Sequence, residues 1–217
     1  MVTQKIIIIG AGGFGREVLW TITECNNESK KYDVLGFVDD DPTLHNTLIS
    51  DLPVLGDIDW ILSSSFTDVG FVIAIGENKI RKKIVERLKH KNFKYPIIKH
   101  PSIHCATSVN LEEGTIIQAG SILSVNVNIG KHSYINFNCT IGHDSIIEDY
   151  VTLSPGVNLS GTNKIKTGVL IGTGTATKQN ISIDEWSIIG GGTIIGKNIP
   201  SYSVYYGSSG KMKNFLA

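Results

Sequence analysis

Residues 128–147 read NIGKHSYINFNCTIGHDSII, and every sixth residue in that run, Ile129, Ile135, Ile141 and Ile147, is isoleucine. Carried outward in both directions, the same step runs from Leu111 to Ile195 through fifteen positions, and fourteen of them are Ile or Leu. Thr177 is the exception. Four residues after each member lies a second series, from Thr115 through Ser121, Val127, Ser133, Cys139, Ser145 and Val151 to Ile199, mostly small or β-branched. A period of six suits neither the 3.6 of a helix nor the simple alternation of a strand. It predicts a coil with flat sides, one short strand per hexad, and three hexads closing a triangular turn. The bulky aliphatics point inward and the smaller residues fill the corners. Coils stack through backbone hydrogen bonds at roughly 4.8 Å, so fifteen hexads predict five coils and a prism on the order of 24 Å long. Gly130, Gly142, Gly172, Gly190 and Gly196 directly follow inward positions, where turns are expected to use glycine's conformational freedom.

The chain before this array reads differently. Residues 5–9 form an apolar strand, followed by GAGGFG at 10–15 and a helical REVLWTITEC at 16–25. Strands are expected at 34–38 and 70–75, helices from 58 and over 79–91, and a last strand at 95–98. Strands alternating with helices indicate a parallel α/β sheet, a Rossmann-like half-domain over residues 1–99. Residues 100–217 then hold the β-helix and a tail, with residues 100–110 as a bridge outside the hexad register.

Composition narrows the partners. The 217 residues carry 20 Lys+Arg against 20 Asp+Glu. A balanced charge argues against nucleic acid or an anionic membrane, both of which select a basic excess. No apolar run is long enough to span a bilayer, and the N-terminus reads as a strand rather than a signal peptide. Three cysteines, Cys25, Cys105 and Cys139, make neither a CxxC pair nor an even disulfide framework, which points to a reduced, cytoplasmic setting.

Two places can carry chemistry. Gly10-x-Gly12-x-x-Gly15 sits between a strand and a helix, upstream of Asp39-Asp40-Asp41 at the end of the second strand. That arrangement suits a phosphate at a helix N-terminus and a carboxylate near a sugar hydroxyl; the alternative is a tight turn and a solvated acidic loop. Among six histidines, His45 and His90 lie in polar segments, and His100 and His104 lie in the bridge. His132 and His143 fall inside the repeat. His143 precedes Asp144, and a carboxylate beside an imidazole can orient the ring and stabilise its protonated form. The alternative is an exposed corner histidine. Cys139 occupies the corner series and reads as a packed thiol. No His/Cys cluster has metal spacing, so no metal is expected.

GAGGFG, VDDD, AIGENKIRKKI and the hexad array carrying NFNCTIGHD together resemble the bacterial nucleotide-sugar acetyltransferases. This is the sialic acid O-acetyltransferase-like group that includes UDP-4-amino-sugar and perosamine N-acetyltransferases of surface-glycan synthesis. The resemblance covers roughly residues 4–200. It implies a left-handed hand for the β-helix and N-acetylation of a nucleotide-linked amino sugar by acetyl-CoA, with sugar or sialic acid O-acetylation as the alternative. By the same resemblance His143 is the general base, Asp144 its acidic neighbour and Asn136 a residue near the reacting groups. Gly12, Gly13, Phe14, Asp39, Asp40 and Gly76 fall in the nucleotide-sugar site. Acetyl-CoA would lie along the prism between subunits of a homotrimer, near Thr152, Thr173 and Gly191. Two departures stand out: Thr152 replaces a second histidine that some relatives carry, and the tail at 207–211 lacks the relatives' proline. An NAD-binding module would explain the glycine loop but leaves His143 and the hexads without a purpose.

Overall fold

The computed structural model describes residues 3–207 and 211–215. It divides into two compact units, one ending at Pro101 and the next beginning at Ser102.

The first unit is built on a parallel sheet of β1 (Gln4–Ile9), β2 (Tyr32–Val38) and, after the hairpin strands β3 (Leu48–Ile49) and β4 (Leu52–Pro53), β5 (Val69–Ile73), in the order β2-β1-β5. Ile6, Ile7, Ile8 and Phe71 are fully buried, as expected for strands covered on both faces. α1 (Gly13–Glu28), α2 (Ile58–Ser63) and α3 (Asn78–Leu88) follow the strands. Asp57 caps α2 by accepting the Trp60 N–H at 2.8 Å. The expected strand at 95–98 does not form in this sheet. Lys94 makes a single bridge to Gly70, and Pro96, having no N–H, cannot extend the ladder. The hairpin over residues 48–53 was not anticipated, because its strands are only two residues each.

The second unit is a parallel β-helix with three faces, and each strand pairs with the one a full coil later, as Thr140 does with Asn158 and Ile147 with Ile165. The first face runs from His104–Cys105 to Ile194–Ile195, the second from Asn110–Leu111 to Ser182–Ile183, and the third from Ile116–Ile117 to Ser203–Tyr206. Lys211–Phe215 then adds an antiparallel strand. Six strands on the first face make six coils rather than five. The residues read as a bridge wind the first coil: Cys105 lies one step before Leu111 in the inward series, and Ile103 and Val109 extend the corner series. All four pack against the core.

Both series point inward. Ile117, Ile135, Leu153, Ile171 and Ile189 are fully buried, and so are Val127, Cys139, Val151, Val157 and Val169. Polar corner residues satisfy themselves within the stack, as Ser121 Oγ donates to the Asn136 carbonyl at 2.8 Å and Ser133 Oγ to that of Glu148 at 2.7 Å.

The turns correct one expectation. Positive φ falls three residues after the inward positions from Leu111 to Ile189, as at Asn126, His132, Asn138, Asp144, Tyr150 and Gly156 (57°, 52°, 54°, 57°, 58° and 69°). Gly130, Gly142 and Gly172, directly after inward residues, do not have positive φ. They are glycine because the next coil comes too close: a Cβ on Gly142 would lie 2.5 Å from the Gly161 nitrogen.

Candidate active site

The β-helix has three edges, each a column of turns. On the first, between the first and second faces, His143 is the second residue after Ile141 and Asp144 the third. Asp144 takes the left-handed turn conformation, which Asp tolerates better than most residues. Its Oδ2 accepts from His143 Nδ1 at 2.8 Å, so in the neutral ring that nitrogen carries the proton and Nε2 the lone pair. The His143 side chain is 48% exposed. Asp144 Oδ1 accepts from Asn126 Nδ2 at 3.0 Å, and the bonds from Asn126 and then His143 hold the Asp144 carboxyl below the usual carboxylate range.

The other expected residues fall elsewhere. Asn136 stands on the third edge, between the third and first faces, seven residues before His143; its Oδ1 accepts the Phe137 N–H at 2.7 Å. Thr173 and Gly191 are exposed on that same third edge in successive coils, tied by the Gly192 N–H donating to the Thr173 carbonyl at 2.7 Å. This edge is rich in glycine, and a Cβ on Gly174 or Gly192 would meet nothing within 4 Å, so a thin acyl-thioester chain can lie close to the backbone here. Thr152 is buried in its strand on the third face, in register with Tyr134 and Leu170. Residues 208–210 of the tail lie outside the described residues.

Cys139 is fully buried, its Sγ 3.3 Å from the Ser154 carbonyl, and burial pushes its thiol up to about 11. His132 is also buried, its ring stacked on Tyr150 at 5.7 Å and 10°. Among the described residues, no group of three or more His, Cys, Asp or Glu could hold a metal, and no helix is long and apolar enough to cross a membrane.

In the first unit the glycine loop has the form its spacing predicted. Gly10 has φ +104°, and a Cβ on Gly15 would overlap the Gly10 carbonyl, so the helix can approach the strand only without one. Gly12 and Gly13 are exposed at the start of α1, where Gly12 caps the helix without a side chain; Phe14 in the same turn is partly buried. Asp39 braces this loop: Oδ2 accepts the Ala11 N–H at 2.8 Å and Oδ1 the Asp41 N–H at 3.0 Å. Asp40 accepts the Ile58 N–H at 3.0 Å and is half-exposed beside Arg87. A cavity of about 280 Å³ opens at these strand ends, lined by Gly10, Val38, Asp39, Asp40, Ile58 and Ile80, among others. Ile75 also lines it, and the exposed Gly76 comes next in a loop held by a residue that the sequence reading missed. Arg81, 2% exposed, donates from Nη1 to the Ile75 carbonyl at 2.7 Å. Its place on the buried stripe of α3 with Asn78, Ile84 and Leu88 was visible in the spacing.

The second unit is thus a coil of hexapeptides with an exposed, carboxylate-paired imidazole on one edge. Residues 5–88 match the PglD N-terminal domain family. GDP-perosamine N-acetyltransferase of Escherichia coli O157:H7 is 30% identical over 175 residues, covering 80% of this chain and 78% of that protein. The acetyltransferase domain of PglB from Neisseria gonorrhoeae FA1090, solved in complex with acetyl coenzyme A, superposes with a TM-score of 0.88 at 26% identity, covering 98% of this chain and 100% of that one. PerB from Caulobacter crescentus, in complex with CoA and GDP-perosamine, gives 0.86 at 25% identity over 97% of each chain. The chain belongs to the family of acetyl-CoA-dependent nucleotide-sugar N-acetyltransferases built on the left-handed hexapeptide β-helix.

Proposed function

We propose that this enzyme acetylates the free amine of a nucleotide-linked 4-amino-4,6-dideoxy sugar for surface-glycan (lipopolysaccharide O-antigen) synthesis in the cytoplasm, with His143 as general base. The observation that carries the reading is the His143–Asp144 pair, whose 2.8 Å bond to Nδ1 leaves Nε2 available on a half-exposed ring. The neutral amine attacks the thioester carbonyl while Nε2 takes the amine proton as the C–N bond forms. The tetrahedral adduct then collapses, expelling the CoA thiolate, which takes up a proton. Asn136, Thr152, Thr173 and Gly191 are assigned to the acetyl-CoA side of the reaction on the third face and edge, which a neighbouring subunit would bring to His143. Transfer is direct, because Cys139, four residues before His143, is buried and protonated at neutral pH.

The nucleotide is assigned to the first unit, with its phosphates at Gly12, Gly13 and the first turn of α1, and its remainder toward Phe14, Asp40 and Gly76. Asp39 acts there by holding the glycine loop. Binding energy from the nucleotide is spent on holding the amine in place, and such positioning supplies much of the rate. The working assembly is a homotrimer. Ile122, Val125 and Ile146 are exposed around the His143 turn at 46%, 49% and 41%, an apolar surface that a second copy would cover.

A thiol-release assay with acetyl-CoA and a panel of UDP-, dTDP- and GDP-linked amino sugars tests the acceptor, with free sialic acid in the same panel. Turnover confined to a nucleotide-linked amino sugar, with sequential kinetics, is expected. Turnover with sialic acid alone overturns the acceptor, and an acetylated Cys139 trapped during turnover overturns the direct mechanism.

A further inference from the structure

The first edge holds His143 from two sides, and the residues that do so belong to the coils before and after it. Six residues share the place of His143 along this edge: Thr107, Val125, His143 itself, Gly161, Gln179 and Lys197. Only Gly161, directly after His143 in the stack, lacks a side chain. Neither of the usual reasons for glycine applies. Gly161 does not have positive φ, and the three atoms nearest to a Cβ built on it all belong to the His143 ring, with Nε2 at 2.5 Å, Cε1 at 2.6 Å and Cδ2 at 2.9 Å. The missing methyl is therefore the space in which the imidazole lies. The backbone fixes the same pair, since the Thr162 N–H donates to the His143 carbonyl at 2.7 Å.

On the other side stands Asn126, one coil before Asp144 in the same column of turns. Its own N–H donates to Ser108 Oγ at 2.9 Å, and its Nδ2 to Asp144 Oδ1 at 3.0 Å. A carboxylate with one oxygen tethered cannot swing, so its other oxygen stays on His143 Nδ1.

We propose that Asn126 and Gly161 are positioning residues for His143, Asn126 by fixing the Asp144 carboxylate and Gly161 by leaving the ring its seat. The proposal rests on His143 being the base. The closest contacts of a Cβ at 161 are all with the ring and the backbone there has no positive φ, so Gly161→Ala displaces Nε2, the atom that takes the proton. A displacement of about 1 Å at a reacting atom is worth up to about 10²-fold in rate. Asn126→Gly removes the tether and keeps the turn, because Gly114 and Gly120 already occupy equivalent turns at φ +71° and +74°.

The full-length enzyme is assayed with acetyl-CoA and the best nucleotide sugar of the panel, beside His143→Ala and the neutral reference Gly196→Ala. The nearest atom to a Cβ at 196 is 3.8 Å away, on the flexible Lys178 side chain. Gly161→Ala is expected to lower kcat about 10- to 100-fold and Asn126→Gly about 5- to 10-fold, with both KM values within about twofold. Histidine-selective ¹⁵N NMR should show the His143 proton fixed on Nδ1 in the parent and shared between the two nitrogens in Asn126→Gly. Wild-type kcat in Gly161→Ala beside an inactive His143→Ala refutes the seat while leaving the base assignment standing. A rise confined to KM for acetyl-CoA makes Gly161 a coenzyme contact and also refutes it. An unchanged His143 signal in Asn126→Gly refutes the tether. Normal turnover in His143→Ala removes the base reading itself.

Discussion

Two edges of one β-helix each carry a histidine within a single coil's length, and the helix uses them in opposite ways. His132 is the third residue after Ile129, takes the left-handed turn at φ +52°, and is buried against Tyr150. His143 is the second residue after Ile141, projects half-exposed, and has the turn carboxylate of Asp144 beside it. One step in the hexad separates a buried ring from a half-exposed one. In a repeat this regular, a side chain's role follows from its place in the period and from what stands in the coils directly above and below it.

Exchanging the two outcomes is the direct way to break that contrast. His143→Ala should lower kcat about 10²-fold or more while the urea midpoint stays unchanged, and His132→Ala should keep kcat within about twofold. If both variants lose activity alike, the distinction between the edges fails. Asp144→Asn sharpens the first half. Asn keeps the left-handed turn but offers His143 an N–H where an acceptor stood, which drives the imidazole proton onto Nε2. A fall of about 10²-fold in kcat is expected, with substrate KM values held, as steady-state kinetics will show. The pH dependence has a definite sign. Hydrogen bonds from Asn126 and His143 hold the Asp144 carboxyl low, so their contribution to folding is complete above about pH 4. It fades only as pH falls through that lower folded value.

For the second half, His132→Gly suits the φ of +52° and removes only the ring. Urea denaturation should show a loss of about 1–3 kcal/mol, the ordinary cost of deleting a packed side chain. The smallest effect concerns the interior shared by both edges. With its thiol pushed up to about 11, Cys139 is thiolate in about one molecule in a thousand at pH 8. Maleimide should modify Cys139 only upon unfolding and label the partly exposed Cys105 first, as peptide mass mapping would reveal.

Most of the β-helix was written in its period, since the inward and corner series are both buried as their spacing requires. The turn chemistry was legible but read one column off. Gly114, Gly120, Gly156, Gly168, Gly174 and Gly192 are all multiples of six apart and mark the left-handed position, whereas Gly130 and Gly142 follow isoleucine and are glycine because the next coil is close. The first coil escaped because Cys105 is not a large aliphatic. In the first unit, spacing placed the glycine loop and the acids beside it, but Asp39 binds backbone N–H groups rather than pointing outward. No pattern in one chain discloses which of two adjacent carboxylates a fold consumes. The Asn126 tether was hidden for a related reason: it joins residues a full coil apart, and the period lines up many such pairs without saying which of them bond.

Pairing at a fixed offset of one coil also constrains how the gene can change length. Between Asn126 and Gly161, loss or gain of one hexad would rotate everything downstream to a different edge and dismantle the seat, although every hydrophobic residue would still face inward. A whole coil added after Lys197 would leave it untouched. The molecule can therefore grow by complete windings at its far end, while its middle is locked to a strict count.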